Sequence, residues 1–212
     1  MHGVVPKSLW SAWNTADEDN LCSWAMRCLL VEDGDRAILI DNGIGEKQSE
    51  RFFSFYHLHG RDSLTKSLDR AGFGVDQITD NFLTHLHFDH CGGGVGWQSS
   101  SDTIPELTFP KAHYWSQKDH WDWSMIPFAR ERASFLQENL LPMQQSGQLK
   151  LISDTGTAQV LDQAFEIITV DGHTEKQMLP KIKYKGHTII FVADLIPSVA
   201  HLPVAWVMGY DT

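Results

Sequence analysis

One hexapeptide constrains this chain more than any other feature. His85-Leu86-His87-Phe88-Asp89-His90 places four metal-ligating side chains within six residues. It continues a short strand-like run, Ile78–Thr84, and is followed by Gly92-Gly93-Gly94. On extended backbone, residues two apart point to the same side, so His85 and His87 can reach one ion. A sharp turn then lets Asp89 and His90 address a neighbouring position, and the glycines behind them make such a turn cheap. Imidazole and carboxylate donors suit zinc, iron or manganese. Two later segments offer further ligands at the ends of strand-like runs: His173 in Val170-Asp171-Gly172-His173-Thr174 and Asp194 in Phe191-Val192-Ala193-Asp194. The competing reading, surface histidines with a capping aspartate, accounts less well for all three segments occurring in this order.

Composition narrows the class. A length of 212 residues fits a single domain, 1–212. Seventeen basic against 27 acidic residues give a net charge of −10, which argues against a general binder of nucleic acid or anionic lipid. No stretch of about 18 apolar residues offers a membrane span. The three cysteines, Cys22, Cys28 and Cys91, form no CxxC pair. A reducing compartment is the default for such a chain. With no signal-peptide pattern at Met1-His2-Gly3-Val4-Val5-Pro6, a cytoplasmic location is expected.

The rest of the chain reads as mixed α/β. Residues 1–23 read as an irregular aromatic arm. Met26–Val31 and Ala37–Ile40 flank Asp33-Gly34, a hairpin signal, and the second run ends in the turn Asp41-Asn42-Gly43. A helix is expected over 62–71, capped by Asp62 or Ser63 and ended by Gly72. Residues 97–110 read as a loop, Ala112–Trp115 as a strand, and Pro127–Leu140 as a helix with Pro142 beyond its end. Leu149–Ile152 and Phe165–Val170 read as strands. Ile182–Tyr184 and His187–Ala193 read as a hairpin across Lys185-Gly186.

Thr84-His85-Leu86-His87-Phe88-Asp89-His90-Cys91-Gly92-Gly93, then Gly172-His173-Thr174, then Ala193-Asp194 together resemble the metallo-β-lactamase superfamily. Asp41-Asn42-Gly43 also looks like that superfamily's early D-x-G element. The resemblance implies an αβ/βα four-layer sandwich with its metals at one edge. It implies that His85, His87 and His173 bind a first metal, that Asp89 and His90 bind a second, and that Asp194 bridges both. Two Zn2+ ions are the expected cofactors, with iron or manganese as alternatives. The chain departs from the pattern at one place. The binuclear branch supplies a further histidine well downstream of the bridging aspartate, and only His201 follows Asp194 here. The resemblance therefore implies a domain truncated at both ends, without its C-terminal element. His201 as a substitute ligand or pocket residue is the alternative.

The chemistry expected of such a site is hydrolysis of a lactone or other carboxylic ester or amide. Asp89 would carry the proton from the nucleophile to the leaving group. The opening Gly3-Val4-Val5-Pro6-Lys7-Ser8-Leu9-Trp10 is similar to a segment of hydrolases related to N-acyl homoserine lactonases. Trp10, Trp13 and the run Phe52-Phe53-Ser54-Phe55-Tyr56 are candidates for the wall of an acyl pocket, with plain core packing as the other reading. A small-molecule substrate is expected, and a homodimer is compatible with it. Two other functions stay open: a mononuclear iron enzyme of the sulfur-dioxygenase type, and a non-catalytic member whose site has degenerated.

Overall fold

The computed structural model describes residues 1–153 and 165–211. The chain forms two compact units: a larger one, Met26–Ser153, and a smaller one that combines Met1–Ala25 with the C-terminal part, described over 165–211. A one-turn helix, α1 (Lys7–Trp10), belongs to the smaller unit.

The larger unit is built on a five-stranded sheet. Its strands are β1 (Leu29–Asp33), β2 (Arg36–Ile40), β3 (Asp80–Phe82), and, further along, β6 (His113–Gln117) and β7 (Leu149–Ile152). β4 (Val95–Gln98) and β5 (Ser101–Leu107) form a separate two-stranded sheet. The order of the large sheet is β1-β2-β3-β6-β7. β1 and β2 are the expected antiparallel hairpin, while β2, β3, β6 and β7 run parallel. Parallel neighbours need crossovers, and the helices supply them. α2 (Glu50–Ser54) and α3 (Leu64–Ala71) lie between β2 and β3; α4 (Phe88–Cys91) follows β3; α5 (Lys118–Met125) and α6 (Gln137–Gln145) lie between β6 and β7. Ala37–Ile40 of β2 and all of β3 are buried, as strands covered on both faces must be. The core gathers Leu39, Leu68, Leu83, Leu86, Tyr114, Trp121, Leu140 and Met143.

Local chemistry sets the ends of these elements. Ser63 caps α3 by accepting from the Lys66 N–H, and Gly72 ends it in the left-handed region at φ 86°. Tyr114 is buried with its hydroxyl satisfied twice: it donates to Gly94 O (2.9 Å) and accepts from Phe109 N (3.1 Å). That pair fixes the base of the β4–β5 hairpin.

Two expectations fail here. Residues 97–110 are not a loop, because the end of β4 and all of β5 lie within them. Pro105 hid the strand, yet it sits opposite Trp97 in a ribbon of only two strands, where a lost donor is tolerated. Nor is Pro127–Leu140 one helix. α5 ends at Met125, and Phe135 and Leu136 are extended (ψ 105° and 115°). α6 then runs through Pro142. Phe135 leaves the helical path because its ring is buried against His87 and His120, with centroids 4.9 and 5.8 Å apart.

The smaller unit holds a three-stranded antiparallel sheet in the order β10-β9-β8, from β8 (Phe165–Val170), β9 (Gln177–Tyr184) and β10 (His187–Ile190). Lys185 and Gly186 join β9 to β10 with φ of 47° and 79°, the positive pair that a tight hairpin requires. In the same unit His2 is stacked between Trp10 and His201, at 4.8 and 5.0 Å.

The glycine run after the hexapeptide has a specific packing role. The loop after β2 lies directly on it: a Cβ on Gly92 would stand 2.4 Å from Ile44 O, and one on Gly93 would stand 2.2 Å from Asn42 O. Backbone bonds tie the two segments, Asn42 N to His90 O (2.8 Å) and Gly93 N to Gly43 O (2.9 Å). Gly93→Ala is expected to destabilise the fold by about 3 kcal/mol, since backbone on both sides must move. Gly96→Ala, whose Cβ meets nothing nearer than 4.0 Å, serves as the tolerated control. Chemical denaturation of both variants measures the difference.

Candidate metal centre

The parallel sheet delivers its polar groups to one edge. Asp41 follows β2, Thr84 to His90 follow β3, and His120 lies just past β6. These are the carboxyl ends of parallel strands, where open α/β sheets carry their sites.

A buried carboxylate organises this edge. Asp41 takes φ 56°, a left-handed conformation that aspartate tolerates better than most residues. Its Oδ1 accepts from Thr84 N (2.8 Å). Its Oδ2 accepts from the Thr84 hydroxyl (2.9 Å) and from His90 Nδ1 (2.8 Å). A carboxylate only accepts, so His90 carries its proton on Nδ1 and keeps the Nε2 lone pair. The Thr84 hydroxyl has spent its proton on Asp41. It can therefore only accept from His85 Nδ1, 3.1 Å away, which leaves His85 its Nε2 lone pair in turn. One carboxylate thus sets the tautomer of two histidines, the outer-shell arrangement that metal-ligating imidazoles use.

The loop between these histidines is held as firmly. His120, buried in α5, accepts the Leu86 N–H at Nε2 (2.9 Å). Cys91 donates its thiol to Leu86 O (3.3 Å). Burial pushes that thiol well above its ordinary range, so Cys91 is a protonated packing residue. His87 packs its ring on Phe135, and its Nε2 lies 3.4 Å from Oε1 of the buried Glu131. Asp89 is partly exposed, with Oδ2 3.9 Å from His90 Nε2. Ring nitrogens of His87 and of His90 each come within 4.8 Å of one on His85.

The smaller unit repeats the same device. His173 stands in the turn after β8, its Nδ1 3.0 Å from Asp211 Oδ1 and its Nε2 3.6 Å from Asp194 Oδ2. Asp211 is itself fixed by Met208 N (2.9 Å). Asp194 sits in a one-turn 3-10 helix just past β10. His201 is used differently. Its Nδ1 pairs with Ser198 Oγ (2.8 Å) and its Nε2 with Met1 O (3.2 Å), so both nitrogens are engaged by protein and no lone pair remains for a metal.

Of the sequence-derived residues, His85, His87, Asp89 and His90 cluster in the larger unit, and His173 and Asp194 adjoin each other in the smaller one. The outer residues Asp41, Glu131, His120 and Asp211 were not singled out as partners from sequence. Only Asp41, in the D-x-G turn, carried a signal.

The profile of the metallo-beta-lactamase superfamily matches residues 27–210. This chain belongs to that superfamily. Among curated relatives, an N-acyl homoserine lactonase from Bacillus cereus is 26% identical over 111 residues, covering 48% of this chain and 44% of that protein. One from Bacillus thuringiensis is 27% identical over 103 residues, covering 44% and 40%. The chain thus spans less than half the length of these relatives. Among solved structures, a probable metal-dependent hydrolase from Staphylococcus aureus superimposes with TM-score 0.88 at 25% identity, covering all of this chain and 73% of that one. The dizinc quorum-quenching lactonase AidC, bound to its product, matches with TM-score 0.66 at 27% identity, over 87% and 62%. The superfamily implies a metal cofactor. The donor chemistry here fits one: imidazoles whose outer nitrogens are occupied, with a partly exposed carboxylate beside them.

Replacing Asp41 tests the device directly. Asp41→Asn is expected to weaken metal binding by about 10- to 100-fold, because the amide cannot hold both Thr84 and His90. Competition against a chromophoric chelator reads this.

Proposed function

We propose that this superfamily member is a metal-dependent hydrolase acting on a lactone or related carboxylic ester or amide. The proposed ligands are His85, His87 and His173 for one zinc ion, Asp89 and His90 for a second, with Asp194 shared. The observation that carries the proposal is Asp41, whose single carboxylate leaves Nε2 of both His85 and His90 ready to donate. When bound, such ions supply Lewis acidity, making water a stronger acid and polarising the scissile carbonyl.

The protein's own groups do the rest. Asp89, partly exposed, takes the proton released by the attacking water and returns it to the leaving alkoxide. His85 and His87, almost wholly buried, exclude bulk water behind the reacting carbonyl. Phe88 precedes Asp89, and its ring meets Phe52 and Tyr56 at 5.3 and 4.9 Å. This aromatic surface beside Asp89 suits the apolar part of an acyl substrate. Trp10 stacks on His2, and Trp13 is exposed. The lactonase relatives support the same substrate class.

Metal content of the purified protein, measured beside a panel of lactone, ester, β-lactam and phosphoester substrates, is the test. The expected result is bound metal with lactone turnover that falls at least 100-fold in Asp89→Ala and His87→Ala. A protein that binds no metal, or turnover indifferent to both substitutions, overturns the proposal.

A further inference from the structure

Residues 1–10, to which the proposed hydrolase chemistry gives no part, pack more tightly than an irregular arm needs. Gly3 takes φ 50°, and a Cβ there would stand 2.5 Å from Val207 O and 3.4 Å from Gly209 N. From the other side, a Cβ on Gly209 would stand 3.4 Å from Gly3 Cα. Two glycines thus let two backbones cross closer than a side chain allows. His2 pins the crossing. Its buried ring lies flat between Trp10 and His201 and edge-on to Trp206, at 4.8, 5.0 and 6.3 Å. Burial, and then the neighbouring His201, hold this imidazole below its ordinary value, so it packs as a neutral ring. Met1 ties down both sides: its O pairs with His201 Nε2 (3.2 Å), and its Sδ accepts from the Tyr210 hydroxyl.

The backbone that Gly3 meets leads into Asp211. Met208 to Asp211 form a turn in which Met208 N donates to Asp211 Oδ2 (2.9 Å) and Asp211 N to Met208 O (3.3 Å). Asp211 Oδ1 then faces His173 Nδ1 at 3.0 Å, and the Tyr210 ring stands edge-on to the His173 ring at 6.0 Å. All of these residues belong to the smaller unit. Residues 202–211 form neither helix nor strand, so the turn takes its place from what packs on it. An outer carboxylate orients an imidazole only as well as it is itself held. We propose that the N-terminal arm is a positioning element for the metal site: by seating Gly3 on the turn Met208–Asp211, it keeps the Asp211 carboxylate on His173 and that ring in one orientation. This role rests on the reading of His173 as a ligand and adds to it a part for residues 1–10.

The test has two independent readouts. The first is Zn2+ affinity, measured by competition with a chelator. Gly3→Ala, which forces the arm off the turn, is expected to bind Zn2+ about 10-fold more weakly. Asp211→Ala is expected to lose at least as much. The double variant is expected to bind no more weakly than Asp211→Ala alone, because the arm acts through that carboxylate. Gly34→Ala is the control: its φ is also positive, at 59°, and no atom lies within 4 Å of the added Cβ, so wild-type affinity is expected. Wild-type affinity in Gly3→Ala, or losses that add in the double variant, overturns the proposal. The second readout is the 15N signature of the His173 ring in the metal-free protein. The proton is expected on Nδ1 in wild type and shared between both nitrogens in Gly3→Ala; identical signals in the two proteins overturn the proposal. If Gly3→Ala does not fold, Trp10→Ala, which removes one face of the stack around His2, is read in the same two ways. If wild-type protein binds no Zn2+, the ligand reading fails, and the ring signals alone decide the role of the arm.

Discussion

Everything at the carboxyl edge of the large sheet depends on one buried negative charge. The Asp41 carboxylate sits almost fully out of water, which is costly for an anion without partners. It is tolerated because Thr84 N, the Thr84 hydroxyl and His90 Nδ1 all donate to it. These donors lie 43 and 49 residues away in sequence, so the same bonds join the end of β2 to the end of β3 and its following turn. Stability and site geometry are therefore served by one set of contacts. The left-handed backbone at Asp41 is part of this arrangement, since it turns the chain from β2 into the loop that lies on Gly92 and Gly93.

Two units each contain a histidine whose Nδ1 faces a carboxylate, His90 with Asp41 and His173 with Asp211. The recurrence has a simple physical basis. A neutral imidazole exchanges its proton between two nitrogens, and only an acceptor on one side makes the other side a dependable donor to a metal. A chain that must offer several such nitrogens needs a fixed acceptor for each. Acceptors placed on separate elements also keep the rings from turning.

What could be read from the sequence is what local patterning encodes. The hairpin of β1 and β2, the capped helix α3, the β9–β10 hairpin and the hexapeptide after a strand all announce themselves through turn residues, caps and spacing. The mixed α/β class followed from them. What could not be read is set by contacts across long sequence distances. Nothing at Glu131 or Asp211 marks either as the neighbour of a histidine tens of residues away. Nor does His120 carry a mark: a polar side chain amid Trp121 and Trp123 gives no sign that it accepts a buried N–H. The helix expected over Pro127–Leu140 failed for a related reason. Local preference favoured helix, and burial of Phe135 against two histidines prevailed.

The contact between the loop after β2 and the glycine run is backbone against backbone, and few side chains take part in it. Aromatic residues such as Phe52 and Tyr56 sit outside that contact. In this architecture the part that fixes the reactive apparatus and the part that would greet a ligand are physically separable, so evolution can redraw the second for new compounds without disturbing the first.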